Sequence, residues 1–241
     1  YNGTNWTEVN DLNTARSQVG GAGTDNTAAL AFGGEATPGN TTLTELWNGS
    51  NWTEVNDMNT DKRGGANAGT QTSGLVAGGL GPSTNMDQTE IWNGTNWTEV
   101  NNLNTARRDM MGFGLNNTSA LAAGGSSPTK DETELWNGTN WTEVNNLNTA
   151  RNAAASSTLG NATSSGLIMG GENPGSSDLS VTEEWSGTNW TEVADLNTGR
   201  NQLGGAGNTT AALAFGGGPV PVRVSTEEWS SSSNTVKTLT D

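Results

Sequence analysis

Carboxylates are the side chains of this sequence best suited to acid–base chemistry, and they recur rather than pair. Glu45, Glu90, Glu134, Glu183 and Glu227 each follow a cation, in order Arg16, Arg63, Arg107, Arg151 and Arg200. A guanidinium and a carboxylate form short, charge-assisted hydrogen bonds, so the recurrence predicts ties between neighbouring strands. The rival reading is a five-fold ring of ligand-binding charges. Cleaving a glycosidic bond needs two carboxylates flanking one bond. Only Asp109 falls near the start of a glycine-rich strand candidate, with Asp61 in the loop before another. The sequence has no histidine and no cysteine, which removes Ser-His and Cys-His nucleophiles and any His-ligated metal. No run of acids has the spacing of a calcium loop. These residues predict a chain that is not an enzyme and needs no cofactor or metal.

The elements that carry these residues follow from a repeat. Its cleanest copy is WNGTNWTEVNNLNTAR, Trp136 to Arg151; near copies begin at Tyr1, Trp47, Trp92 and Trp185, and a decayed one at Trp229. The inner tryptophans Trp6, Trp52, Trp97, Trp141 and Trp190 lie 46, 45, 44 and 49 residues apart. A period of this size marks a propeller, a solenoid or an array, whose units bury a core only against each other. Each unit holds four short strand candidates. In the first unit these are a glycine-rich stretch, Ser17–Thr24, an apolar run, TAALAFGG, and two alternating segments, TLTELW and NWTEVN, joined at Asn48-Gly49. Alternation in period two is the mark of a half-buried strand, and Asn-Gly of a tight hairpin. No stretch has a helical apolar stripe.

Composition narrows the classes further. The net charge is −15, with only ten lysines and arginines among 241 residues. Nucleic-acid binding draws on basic side chains at phosphates, so neither nucleic acid nor an anionic membrane surface is expected as a partner. No apolar run approaches the ~20 residues of a membrane-spanning helix. The Asn, Thr, Ser and Gly content would suit disorder, but ten regularly placed tryptophans argue for a packed core. The Asn-x-Thr triplets at Asn5, Asn51, Asn96, Asn140 and Asn189 coincide with the hairpin turns, and turn formation explains them. The chain starts at Tyr1 without a secretory leader pattern and reads as a piece of a larger chain or assembly.

Five glycine pairs close the apolar runs: Gly33-Gly34, Gly78-Gly79, Gly124-Gly125, Gly170-Gly171 and Gly216-Gly217. No helix follows any of them, so they do not read as a dinucleotide fingerprint. They read as places where no Cβ fits. A glycine pair after an apolar strand, an aromatic some thirteen residues on, a tryptophan five later and an arginine ten beyond resembles the kelch repeat. One departure is a tryptophan on the third strand where kelch repeats usually carry tyrosine. The resemblance covers nearly the whole chain. It implies an all-β fold, a single five-bladed β-propeller of four-stranded antiparallel blades, with the first strand of each blade lining a central channel. It also extends to short Asn/Thr-rich arrays of marine phage and bacterial surface proteins. The copper chemistry of kelch-bearing galactose oxidases is ruled out for want of histidine and cysteine.

The blades are expected at about 16–56, 63–101, 107–145, 151–194 and 200–241. The ring is expected to close by pairing of N- and C-terminal segments. Residues 1–10 would complete the last blade, because Trp6 supplies a packing group that the tail Thr235–Thr240 lacks; a hairpin from Trp229 to Val236 is the alternative.

Two regions differ between units while the hairpins hold one sequence. One is the loop after each glycine pair; the other is the start of each first strand. In an antiparallel blade both emerge on one rim. The expected ligand-binding residues are therefore Gln18, Arg108, Asp109, Met110, Asn152 and Gln202. Hydrogen-bonding groups, charge and one adaptable apolar side chain suit a polar ligand such as a sugar. The expected function is non-catalytic recognition or adhesion. The partner is a glycan or cell-surface receptor, and the setting is extracellular or on a virion surface, as in a phage tail fibre or bacterial appendage. A structural spacer or filament subunit is the alternative, and a propeller glycosidase a remote one.

Overall fold

The computed structural model describes residues 3–218, 224–231 and 235–239. Blade 1 consists of β1 (Gly20–Asp25), β2 (Ala28–Phe32), β5 (Thr44–Trp47) and β6 (Trp52–Val55), with a small rim hairpin of β3 (Glu35–Ala36) and β4 (Gly39–Asn40). Blade 2 consists of β7 (Ala66–Thr70), β8 (Ser73–Leu80), β9 (Asn85–Trp92) and β10 (Trp97–Val100). Blade 3 is β11 (Met111–Asn116), β12 (Ser119–Ala123), β13 (Thr133–Trp136) and β14 (Trp141–Val144). Blade 4 is β15 (Ala155–Ser156), β16 (Gly166–Met169), β17 (Thr182–Trp185) and β18 (Trp190–Val193). Blade 5 is β19 (Gly204–Gly207), β20 (Ala211–Phe215), β21 (Thr226–Ser230) and β22 (Thr235–Leu239). All neighbours within a blade are antiparallel, and the five sheets form a five-bladed β-propeller with no helix among the described residues. The first strands β1, β7, β11, β15 and β19 lie innermost and line the channel.

The fourth strand of blade 5 corrects one expectation. β22 pairs with β21, Trp229 opposite Val236, so the tail and not the N-terminal segment completes the blade. Residues 3–10 contain no strand. A hairpin partner needs only a short loop to close, whereas the N-terminus must be brought from the other end of the chain. Trp6 nevertheless reaches blade 5, packing on Phe215 with ring centroids 5.1 Å apart.

The repeated hairpin folds for reasons local to its sequence. Asn48 Oδ1 accepts from the backbone N–H groups of Ser50 and Asn51, both at 2.9 Å, and Gly49 sits at φ 89°. Asn93 and Asn137 do the same in blades 2 and 3. Only the glycine of the Asn-Gly pair takes positive φ; the asparagine acts through its side chain, as in an Asx turn. The turn sets the two tryptophans opposite each other, with ring centroids 5.2–5.6 Å apart in blades 1 to 4.

These tryptophan pairs are the mortar between blades. Trp92 and Trp97 pack on Leu30 and Phe32 of blade 1, and Trp136 and Trp141 on Leu75 and Ala77 of blade 2. Trp185 and Trp190 pack on Leu121 and Phe113 of blade 3, and Trp229 packs on Leu167 and Met169 of blade 4. The rule is the aliphatic face of one blade against the aromatic face of the next. Burying each large aromatic removes roughly 150–250 Å² from water, which a blade standing alone does not achieve.

The predicted charge ties are present and buried. Arg107 donates through one terminal nitrogen to Gly124 O and Glu132 O, both at 2.8 Å, and through the other to Glu134 Oε1 at 2.7 Å. Arg16, Arg151 and Arg200 repeat the pattern on Glu45, Glu183 and Glu227. The other carboxylate oxygen accepts from an asparagine of the preceding linker, Asn104 in blade 3. With both side chains of each pair buried, these charges offer no ring to a ligand. In blade 2 the clamp is not Arg63, as expected, but Lys62, whose Nζ lies 3.3 Å from Glu90. Counting from Asn59 as from Asn104 places Lys62 where Arg107 stands. Arg63 instead pairs with Glu35 on the rim.

Candidate functional site at the channel mouth

Two residues past each clamp, the chain turns into the channel. There Gln18, Gly64, Asp109, Ala153 and Gln202 occupy one equivalent position, all with φ between 50° and 61°. Non-glycine residues rarely adopt this left-handed conformation, and functional sites are enriched in it. Here neighbouring blades hold it in place. Asp109 donates its N–H to Gly64 O at 2.6 Å, Ala153 to Asp109 O at 2.9 Å, and Gln202 to Ala153 O at 2.7 Å.

The residue before this position bridges to the loop after the glycine pair, as in Ser17 with Glu35, Arg108 with Ser126 and Asn152 with Glu172. Both variable regions therefore meet on one rim. They surround a cavity of about 610 Å³, and Gln18, Asp109, Met110, Asn152 and Gln202 line it. It continues into a channel of about 640 Å³ walled by the glycines and alanines of the first strands.

The expected residues differ in what they present. Asp109 Oδ2 accepts from Ser126 Oγ at 2.8 Å and lies 3.4 Å from Arg108 Nε. Arg108 stands beside the cavity rather than in its wall, donating to Ser126 Oγ at 3.2 Å. Asn152 Nδ2 reaches Thr129 Oγ1 at 3.2 Å. Met110, expected as an adaptable apolar contact, has its side chain in the core between blades 2 and 3, against Gly78 and Gly125. It touches the cavity only with its margin, because the close approach of the glycine pairs opens a slot that its thioether fills.

Reasoning from sequence missed Asn67 and Glu172, which also line the mouth. Glu172 is the first residue of a variable loop, so its position was the available signal. It accepts from Asn201 Nδ2 at 3.0 Å, linking blades 4 and 5. Asn67 is the second residue of β7, and only the channel geometry reveals it. A second rim cavity of about 740 Å³ lies between the β3–β4 hairpin and blade 2, around Pro38, Asn40, Arg63 and Pro82. The loop divergence pointed to that rim without indicating a cleft.

The glycine pairs serve assembly. Gly34, Gly79, Gly125 and Gly171 donate their N–H groups to the carbonyls of Lys62, Arg107, Arg151 and Arg200 in the next blade, at 2.7–3.0 Å. A Cβ on Gly78 would stand 2.8 Å from Arg107 O. Compared with known protein families and with curated proteins, the chain matches none.

Proposed function

We propose that this propeller is a recognition module that binds a glycan, alone or displayed on a cell surface, at the channel mouth. The observation that carries this reading is the ring of five equivalent backbone positions bearing Gln, Gly, Asp, Ala and Gln. A symmetric scaffold presents an asymmetric polar surface only through such differences. Amide and carboxylate groups at the mouth match the donors and acceptors of a sugar. The two carboxylates at the mouth, Asp109 and Glu172, sit on adjacent blades and are already hydrogen-bonded. That favours binding over glycoside cleavage. An exposed appendage such as a phage tail fibre or a bacterial surface protein is the setting we propose.

A glycan array tests the reading, followed by variants measured on the best ligand. Gln202→Asn and Asp109→Asn keep residues tolerant of left-handed backbone and should weaken binding at least about tenfold, the worth of roughly 1.4 kcal/mol. Thr139→Ala, on the opposite rim, should leave it unchanged. Loss in Thr139→Ala alone would move the site to the other face. An array with no retained glycan would favour a structural spacer.

A further inference from the structure

Four of the five blade boundaries share one set of contacts. Each has a buried cluster and a glycine N–H bonded to the next blade's clamp carbonyl. Among the described residues the boundary from blade 5 to blade 1 has neither: no core cluster of described residues spans it, Gly217 makes no such bond to Arg16, and β19 and β1 touch less than any other neighbouring inner strands. Trp52 is only half-buried and lines the channel cavity, while Trp97, Trp141 and Trp190 are 5–6% exposed.

The N-terminal segment shows what this boundary is built for. Phe32 of blade 1 packs on Trp97, the fourth-strand tryptophan of the blade that follows, at 4.9 Å. Phe215, its counterpart in blade 5, packs not on Trp52 of blade 1 but on Trp6, at 5.1 Å. Trp6 thus stands as the fourth-strand tryptophan of a blade following blade 5.

At its other end the segment stands one blade before blade 1. Asn56 at the end of β6 donates to Thr95 O and Asn96 Oδ1 in the hairpin of blade 2. Asn101 and Asn145 repeat this on blades 3 and 4. Asn10 makes the same two bonds to Ser50 O and Asn51 Oδ1 of blade 1, at 2.9 and 2.8 Å. The fourth-strand place in blade 5 is already taken by β22. Following blade 5 and preceding blade 1, the segment occupies a position of its own.

We propose that the seam between blades 5 and 1 is the slot of a sixth blade of the same repeat. Its fourth strand is the segment Thr4–Asn10, and its first three strands are one further copy of the repeat joined directly ahead of that segment. The aliphatic face of that copy covers Trp52, which is half-buried and belongs to none of the four clusters. Its own aromatic face is already begun by Trp6 on Phe215.

The test is a fusion. Residues 103–135, a linker and three strands of blade 3, are placed ahead of Tyr1 in the full chain; in the control they follow Asp241. The N-terminal fusion should melt roughly 5 °C or more above the parent and resist protease along its whole length. Backbone amides of β1 should exchange more slowly than in the parent. Trp6→Ala should abolish that gain. The control fusion should melt with the parent and lose its added segment to protease. An N-terminal fusion whose added strands are clipped away, leaving the parent Tm, overturns the proposal; so does an equal gain from the control.

Discussion

Trp190 donates its indole N–H to Thr133 Oγ1 at 3.1 Å, across the boundary between blades 4 and 3. Trp97 and Trp141 make the same bond to Thr44 and Thr89. Blade 5 has valine, not tryptophan, at the corresponding place in β22, and Thr182 Oγ1 is left buried without a partner. A buried hydroxyl that makes no bond costs about 1–3 kcal/mol. Thr182→Val should therefore raise stability, and Thr133→Val should lower it by about 1 kcal/mol or more. Thermal denaturation of the two variants checks this, and opposite signs are the expected result.

Lys62 is the one clamp that is not arginine. It is buried, and burial pushes its ammonium pKa down against the pull of Glu90. Its Nζ donates to Gln88 O at 3.1 Å and reaches no carbonyl equivalent to Gly124 O. A guanidinium stays charged and offers a fork of donors. Lys62→Arg should restore the missing bond and stabilise by about 1 kcal/mol. A lower denaturation midpoint would show that the cavity in blade 2 has adapted to lysine.

Glu90 gives the clamp a pH signature. Burial alone raises its carboxyl, but Lys62, Thr60 and Asn59 outweigh that and hold it below the ordinary value near 4.5. A carboxylate whose folded-state pKa is depressed contributes stability above its unfolded value and loses it as pH falls through the folded one. Glu90→Gln should be destabilised by about 3 kcal/mol at pH 7, since removing one partner strands a buried charge. The gap to the parent should narrow as pH falls below about 4.5. Melting curves from pH 7 to 3 decide the matter; a constant gap would mean that the ion pair contributes nothing beyond shape.

Gly79 and Gly39 make a matched pair of substitutions. Gly79 sits at φ 110°, and an added Cβ would lie 2.7 Å from Arg63 O. It also carries the N–H bonded to Arg107 O at 2.7 Å. Gly39 has open space around its would-be Cβ and no positive φ. Gly79→Ala should cost about 2–3 kcal/mol in backbone strain and displaced contacts, while Gly39→Ala should be neutral or slightly stabilising. Equal Tm values for the two would mean that the blade boundary gives way without loss.

What the sequence determined by itself was everything that repeats. Strand type follows from alternation, the hairpin from Asn-Gly, the core from paired tryptophans and the ties from Asn, Arg and Glu at fixed offsets. All of these act over a few residues or one period, so the chain states them again in blade after blade. The same repetition hides position. Every copy of NWTEVN carries the same local signal, so nothing in the segment around Trp6 says which blade it serves. Only packing on Phe215 and the bonds from Asn10 to the blade 1 hairpin place it, since those contacts join distant parts of the chain. The tertiary structure likewise chose Lys62 over its neighbour Arg63, because side-chain register against Glu90 decides which cation turns inward. It drew Met110 into the core, where the slot left by the glycine pairs buries a thioether more favourably than the polar mouth does. The left-handed backbone at Asp109 and Gln202 was also invisible in the sequence, because each turn there is held by an N–H bond to the turn of the preceding blade.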